Sequence, residues 1–273
     1  MKSANGGFLN YIETLQTDGQ YWFIRGEIIR DLNLTIAAFK MAAHRLIKKK
    51  RILPIGKDFY IIIPLEYRRT STLPPYWYID YLMKYLGKQY YVGLLTAAAH
   101  YGASHQTSQQ FHVMVNEPIN FGKTRKTNLV FFVKKNGPLT PIVRIKVTTG
   151  YINMSSREAT ALDLVQYYKA VGHWGLVATI LLELSPELDP TLLENSALHG
   201  QYETTTLQRL GYLLETLEQG DKALGIYQIL QKKWETKRKN FILLTPEKKA
   251  RQQQKKDPKW RIIVNDEIEA DDI

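Results

Sequence analysis

One stretch limits the fold more than any other. From Phe39 to Ile63 the chain reads FKMAAHRLIKKKRILPIGKDFYIII, an apolar stripe with helical spacing followed by four consecutive basic residues, a proline and a glycine, and a strand-like apolar segment. Along TIAAFKMAAHRLIKK, the residues Ile36, Phe39, Ala43, Leu46 and Ile47 fall on one side of a helix, which predicts that this side packs against other elements. Ala37, Ala38, Met41, Arg45 and Lys48 occupy the opposite face. RILPI and FYIII predict two short strands joined by a turn at Gly56, with Lys57 at its tip.

The upstream residues supply partners for the helix. In FLNYIETLQ, Phe8, Ile12 and Leu15 share a helical face, and Asp18-Gly19 ends it. IRGEIIRDL predicts a second helix with Ile24, Ile28 and Leu32 at fourfold spacing, after which Asn33 or Thr35 caps the third. Three helices followed by a hairpin is the order of a winged helix-turn-helix. Such a unit places one helix in a major groove while basic residues at its end and on the wing hold phosphates. A basic run at a helix C-terminus also complements the helix dipole and can be a solvated surface, so the pattern by itself leaves both readings open. The outer face is poor in the usual base readers, with His44 and Arg45 the best placed, which favours phosphate and shape contacts.

Composition changes after this unit. Arg68 to Thr72 is polar and Pro74-Pro75 interrupts regular structure, giving a first domain over residues 1–65, a linker over 66–75 and a second domain over 76–273. Helical spacing resumes through Tyr78, Leu82 and Leu86, and again from Tyr91 to Tyr101. FHVMV, LVFFV and IVRIKV alternate as strands do, and helices follow from Ser156. The fold class expected is therefore α+β, a winged helix-turn-helix followed by a larger mixed domain that ends in a loose acidic tail.

Charge and composition narrow the function. Across 273 residues the formal net charge is +11, which predicts attraction to a polyanion, either nucleic acid or an acidic protein. The chain has no cysteine, which closes thiolate metal sites, disulfides and cysteine nucleophiles. No apolar run approaches the ~18 residues of a membrane span, and the N-terminus lacks a signal peptide's apolar core, so a cytoplasmic location is expected. NFGKTRKT ends like a phosphate-binding loop, but Glu117 stands where its first glycine belongs and a strand follows, so a basic turn is the better reading. His100, His105 and His112 lack the i, i+4 pairing of a helical zinc site, and neither metal nor cofactor is expected. In SSREATALDLVQYY, Ser155 and Glu158 have capping-box spacing ahead of an apolar face through Ala159, Leu162 and Val165. Arg157 and Asp163 are conceivable catalytic groups, yet no paired base or metal partner accompanies them.

With YYVGLLTAAAHYGASHQ and SREATALDLVQYYKAVGHWGLVATILLEL following an N-terminal winged helix, the chain resembles the AbiEi family of bacterial antitoxins and transcriptional regulators, over about Tyr11 to Leu184. The resemblance implies a non-enzymatic antitoxin of a type IV toxin-antitoxin, abortive-infection system for phage defence. It implies that the second domain is an antitoxin domain, that the protein represses its own promoter through inverted repeats, and that its functional partner is a nucleotidyltransferase-like AbiEii toxin. Carried onto this sequence, the DNA-binding residues are Lys40, His44, Arg45, Lys48, Lys49, Lys50, Arg51 and Lys57. Arg68, Arg69, Lys123, Arg125, Lys126, Arg144 and Lys146 are weaker basic-surface candidates. A nucleic-acid-processing enzyme or accessory subunit, and a stand-alone regulator without a toxin, are the alternatives. Residues 185–273 have no assigned role.

Overall fold

The computed structural model describes residues 4–103, 109–119, 127–236, 240–249 and 254–268. Helix α1 (Ala4–Thr17) turns Phe8 and Ile12, one turn apart, into a core with Phe23 and Phe39, whose rings meet Phe8 at 5.7 and 5.4 Å. Gly19, at φ +75°, ends the helix in a left-handed conformation that costs glycine nothing. A short strand β1 (Trp22–Ile24) follows, then α2 (Arg25–Asp31) and α3 (Ile36–Lys48). Ile24 therefore belongs to a strand, where it pairs with Phe59, and not to the second helix expected from its spacing. Thr35 caps α3 by accepting from the Ala38 amide at 3.1 Å.

The buried seam of α3 is Phe39, Ala42, Ala43 and Leu46. Ile36 was expected in that seam, but it sits in the first turn, one turn before the seam begins, and is 60% exposed. At the other end, the amides of Lys50 and Arg51 bond the carbonyls of Ile47 and Leu46, and Lys50 takes φ +54°. This is a Schellman ending with lysine where glycine is usual.

Strands β2 (Ile52–Ile55) and β3 (Phe59–Ile62) form the expected hairpin, and the sheet order is β1-β3-β2, all antiparallel. The element order is that of a winged helix. Both faces of this sheet are covered. Phe23, Ile52, Tyr60 and Ile62 face the three helices, while Leu53, Ile55, Phe59 and Ile61 join a second core with Leu73, Tyr78, Leu82, Val92 and Phe111. Residues 66–75 are consequently a strapped connection, carrying a short 3-10 turn at Leu65–Tyr67 and a buried Leu73.

The second unit centres on a mixed five-stranded sheet. Its strands are β4 (Tyr90–Val92), β5 (Phe111–Val115), β6 (Leu129–Val133), β7 (Ile142–Val147) and β8 (Gly150–Ser155), in the order β6-β5-β4-β8-β7. Helices α4 (Ile79–Leu86) and α5 (Leu94–His100) flank β4. Tyr91 was expected on a helix that runs to Tyr101; it lies in β4, and the helix starts only after Gly93, where a Cβ would meet Met114 at 2.9 Å. Alternation sends Tyr90, Val92, Val113 and Val115 to the core shared with the winged helix and Tyr91 and Met114 to a third core on the opposite face.

That third core is helical. It comprises α6 (Arg157–Gln166), α7 (Tyr168–Val171), α8 (Trp174–Leu184), α9 (Pro190–His199), α10 (Thr204–Thr216) and α11 (Leu224–Thr236). Ser156, not Ser155, caps α6, accepting from the Ala159 amide at 3.2 Å. Glu158 accepts from the Asp189 amide instead of closing a capping box, and Ser155 bonds the Thr160 hydroxyl at 2.7 Å. Three two-residue strands, β9 (Ile242–Leu243), β10 (Lys256–Asp257) and β11 (Ile262–Ile263), close the fold. Trp260 lies so near α10 that a Cβ on Gly211 would fall 2.0 Å from its ring, so the C-terminal segment completes the helical core.

Candidate nucleic-acid interface

Amphipathicity decides what α3 presents. With its seam turned inward, Lys40, Met41, His44, Arg45 and Lys48 are left exposed along its outer side, continued by Lys49 and Lys50. Met41 is 61% exposed, an apolar side chain set among cations. At the hairpin tip Gly56 takes φ +78°, and Lys57 projects into solvent. The wing is held from below by Arg25, which pairs with Asp58 at 2.8 Å.

Two of the basic candidates are already engaged. Arg51 donates to Glu13 at 2.7 Å, tying the start of β2 to α1, so its charge is partly answered. Arg144, on the outer strand β7, stacks on Tyr151 at 4.8 Å. Lys146 is exposed on the same strand and Arg69 is exposed on the connection. Lys123, Arg125 and Lys126 lie outside the described residues, as does His105. The structure thus collects Lys40, His44, Arg45, Lys48, Lys49, Lys50 and Lys57 on the winged-helix unit and leaves Arg144 and Lys146 on another element.

Arg68 gains a place that its sequence position did not indicate. It joins Arg45, Lys49 and Arg51 around a hollow of about 360 Å³, floored by Leu9 and Leu46. Burial and the neighbouring Arg51 charge lower the Arg68 guanidinium below its ordinary range.

A different charge group lies where α6 meets the sheet. The Lys134 ammonium donates to Asp163 Oδ1 at 2.7 Å, Tyr202 donates to the same oxygen at 2.9 Å, and Tyr91 donates to Oδ2 at 2.8 Å. Lys134 also sits 3.9 Å above the Tyr202 ring. The pair is 4% and 0% exposed. Burial lowers the lysine pKa, and the Asp163 carboxylate opposes that shift. Asp163 therefore has the partner that the sequence did not reveal, yet the pair is sealed from solvent and, with Tyr91 and Tyr202, ties α6 to β4, to the end of β6 and to the turn between α9 and α10. Among the described residues, no group of three or more His, Asp or Glu side chains is placed to hold a metal. His112 is buried against Phe132, and desolvation lowers its pKa to about 4.

A winged helix with an exposed basic third helix, joined to a mixed α+β domain, defines a two-part architecture. Residues 91–216 match the family model for the AbiEi antitoxin C-terminal domain, which supports an AbiEi-family antitoxin. The match runs past Leu184, through α9 and α10, into residues that carried no assignment. Among solved structures, the crystal structure of the RV2827C protein from Mycobacterium tuberculosis shares the fold, with a TM-score of 0.66 at 14% identity, covering 93% of this chain and 89% of that one. No curated protein matches the chain. Among the described residues, no helix is long and apolar enough to cross a membrane.

Proposed function

We propose that the chain is the antitoxin of a type IV, AbiE-like phage-defence system and that it represses its own promoter. The observation that carries the reading is the union of an AbiEi antitoxin domain with a winged helix whose outer α3 face is exposed and basic. The outer face of α3, with His44 and Arg45, enters the major groove, Lys48, Lys49 and Lys50 hold flanking phosphates, and Lys57 reaches the backbone from the wing. Two copies bind the two halves of an inverted repeat. The protein works in the cytoplasm without cofactor, alongside a nucleotidyltransferase-like toxin that it need not touch, and it is not an enzyme.

The test is a titration against the protein's own upstream region and a scrambled duplex of equal length at several salt concentrations. Promoter-selective binding is expected. Equal affinity for both duplexes, with a steep salt dependence, reduces the +11 charge to general polyanion attraction and overturns the promoter reading.

A further inference from the structure

The hollow bordered by Arg45, Lys49, Arg51 and Arg68 brings four cations together from three parts of the chain: the last turns of α3, the start of β2, and the connection to the second domain. Two carboxylates stand near, Glu13 on Arg51 and Glu66 beside Arg68, which leaves an excess of positive charge. Arg51 and Arg68 repel one another across the hollow. The Nε–H of each is buried and has no hydrogen-bond partner among the described residues. Buried donors without acceptors on mutually repelling guanidinium groups are costly to keep in the free protein. A phosphate group offers what the site lacks, acceptor oxygens for the guanidinium groups and negative charge that offsets their repulsion.

We propose that this hollow binds a phosphate group. Arg68 and Arg51 supply the guanidinium donors, while Arg45 and Lys49 close the site from α3. The geometry favours a DNA backbone phosphate, because Arg45 also borders the shallow depression formed with Lys40, Met41 and His44, so the hollow continues the outer face of α3 without a break. In that form the inference rests on the promoter reading. It adds that the second domain's connection contributes directly to DNA anchoring. A free phosphorylated small molecule presents the same chemistry.

The test compares wild type, Arg68→Ala and Lys49→Ala, each checked for an unchanged circular dichroism spectrum, in two assays. The first measures the slope of log affinity against log salt for promoter and scrambled duplexes. The second measures the shift in thermal midpoint produced by inorganic pyrophosphate. If DNA is the source, each substitution makes the slope shallower by about one on both duplexes alike. If the source is a free phosphorylated molecule, pyrophosphate raises the wild-type midpoint, the substitutions abolish the shift, and the DNA slopes stay the same. Either result supports the phosphate site. Variants that keep both the wild-type slope and the wild-type pyrophosphate response overturn it, even where promoter selectivity holds. A wild type without promoter selectivity whose pyrophosphate shift is lost in Arg68→Ala keeps the site and removes the promoter reading.

Discussion

The outer face of α3 and the Lys134–Asp163 centre both concentrate charge, and they do so in opposite ways. On α3 the cations stand in water, and most have no carboxylate opposite them among the described residues. Around Asp163 a single carboxylate receives three donors in a dry core. Water already solvates the first group, so removing a cation there costs folding little and removes attraction for an anion. Nothing solvates the second except its own partners, so removing one leaves the other uncompensated.

That contrast orders the expected effects. Lys134→Ala removes the cation that faces Asp163 in a dry core, and should lower the unfolding free energy by roughly 3–5 kcal/mol, measured by urea titration. Replacing both partners, with Lys134→Met and Asp163→Leu, should recover much of that loss. A single-mutant loss below about 1 kcal/mol would break the comparison, because it would mean that the pair is not held in a dry core. Arg45→Ala with Lys48→Ala should do the reverse, leaving unfolding within about 1 kcal/mol of wild type while making the salt slope of promoter binding shallower by about two. An unchanged slope in that double variant removes α3 as the contacting face.

His112 gives a titratable form of the buried class. Its folded pKa of about 4 lies below the ordinary histidine value near 6.5, so between those values the unfolded chain takes up a proton that the folded chain does not. Stability should therefore fall as pH drops through that window, by about 1–3 kcal/mol, and level off below it. His112→Phe should flatten this part of the profile; an equal slope in that variant would show that other groups set it. The smallest effect is expected at Lys50. Its left-handed conformation suits glycine, so Lys50→Gly should gain about 0.5–1 kcal/mol of stability and weaken DNA binding by one phosphate contact. Tighter binding by that variant would remove Lys50 from the interface.

The sequence made the winged helix legible because its signals are local: a helical stripe, a capping threonine, and two short strands around a glycine turn. It was less informative where short segments depend on distant partners. Trp22–Ile24 is three residues long and its Ile24 is absorbed into the following helix, because its strand character comes from pairing with β3, 39 residues later in the register of Trp22 and Ile61. Tyr91 and Val92 are lost to helical spacing for the same reason. Ser155 and Ser156 are chemically equal as caps, and only the backbone path selected the second. The Lys134–Asp163 pair gave no local signal, since its members come from the end of a strand and the middle of a helix. Arg68 was read as an ordinary exposed cation, and its nearness to Arg51 follows from the folded path of the connection.

Strand β3 is covered on both sides, by the three helices on one and by the second domain on the other. If the winged helix reads DNA as proposed, it cannot swivel on a tether to accommodate a badly spaced site. If two copies that touch each other dock as proposed, the distance and twist between their α3 faces are set by solid protein, and the pair works as a fixed caliper. Adding half a helical turn, about five base pairs, between the operator halves should then defeat paired binding, and a full turn should restore the facing without restoring the distance.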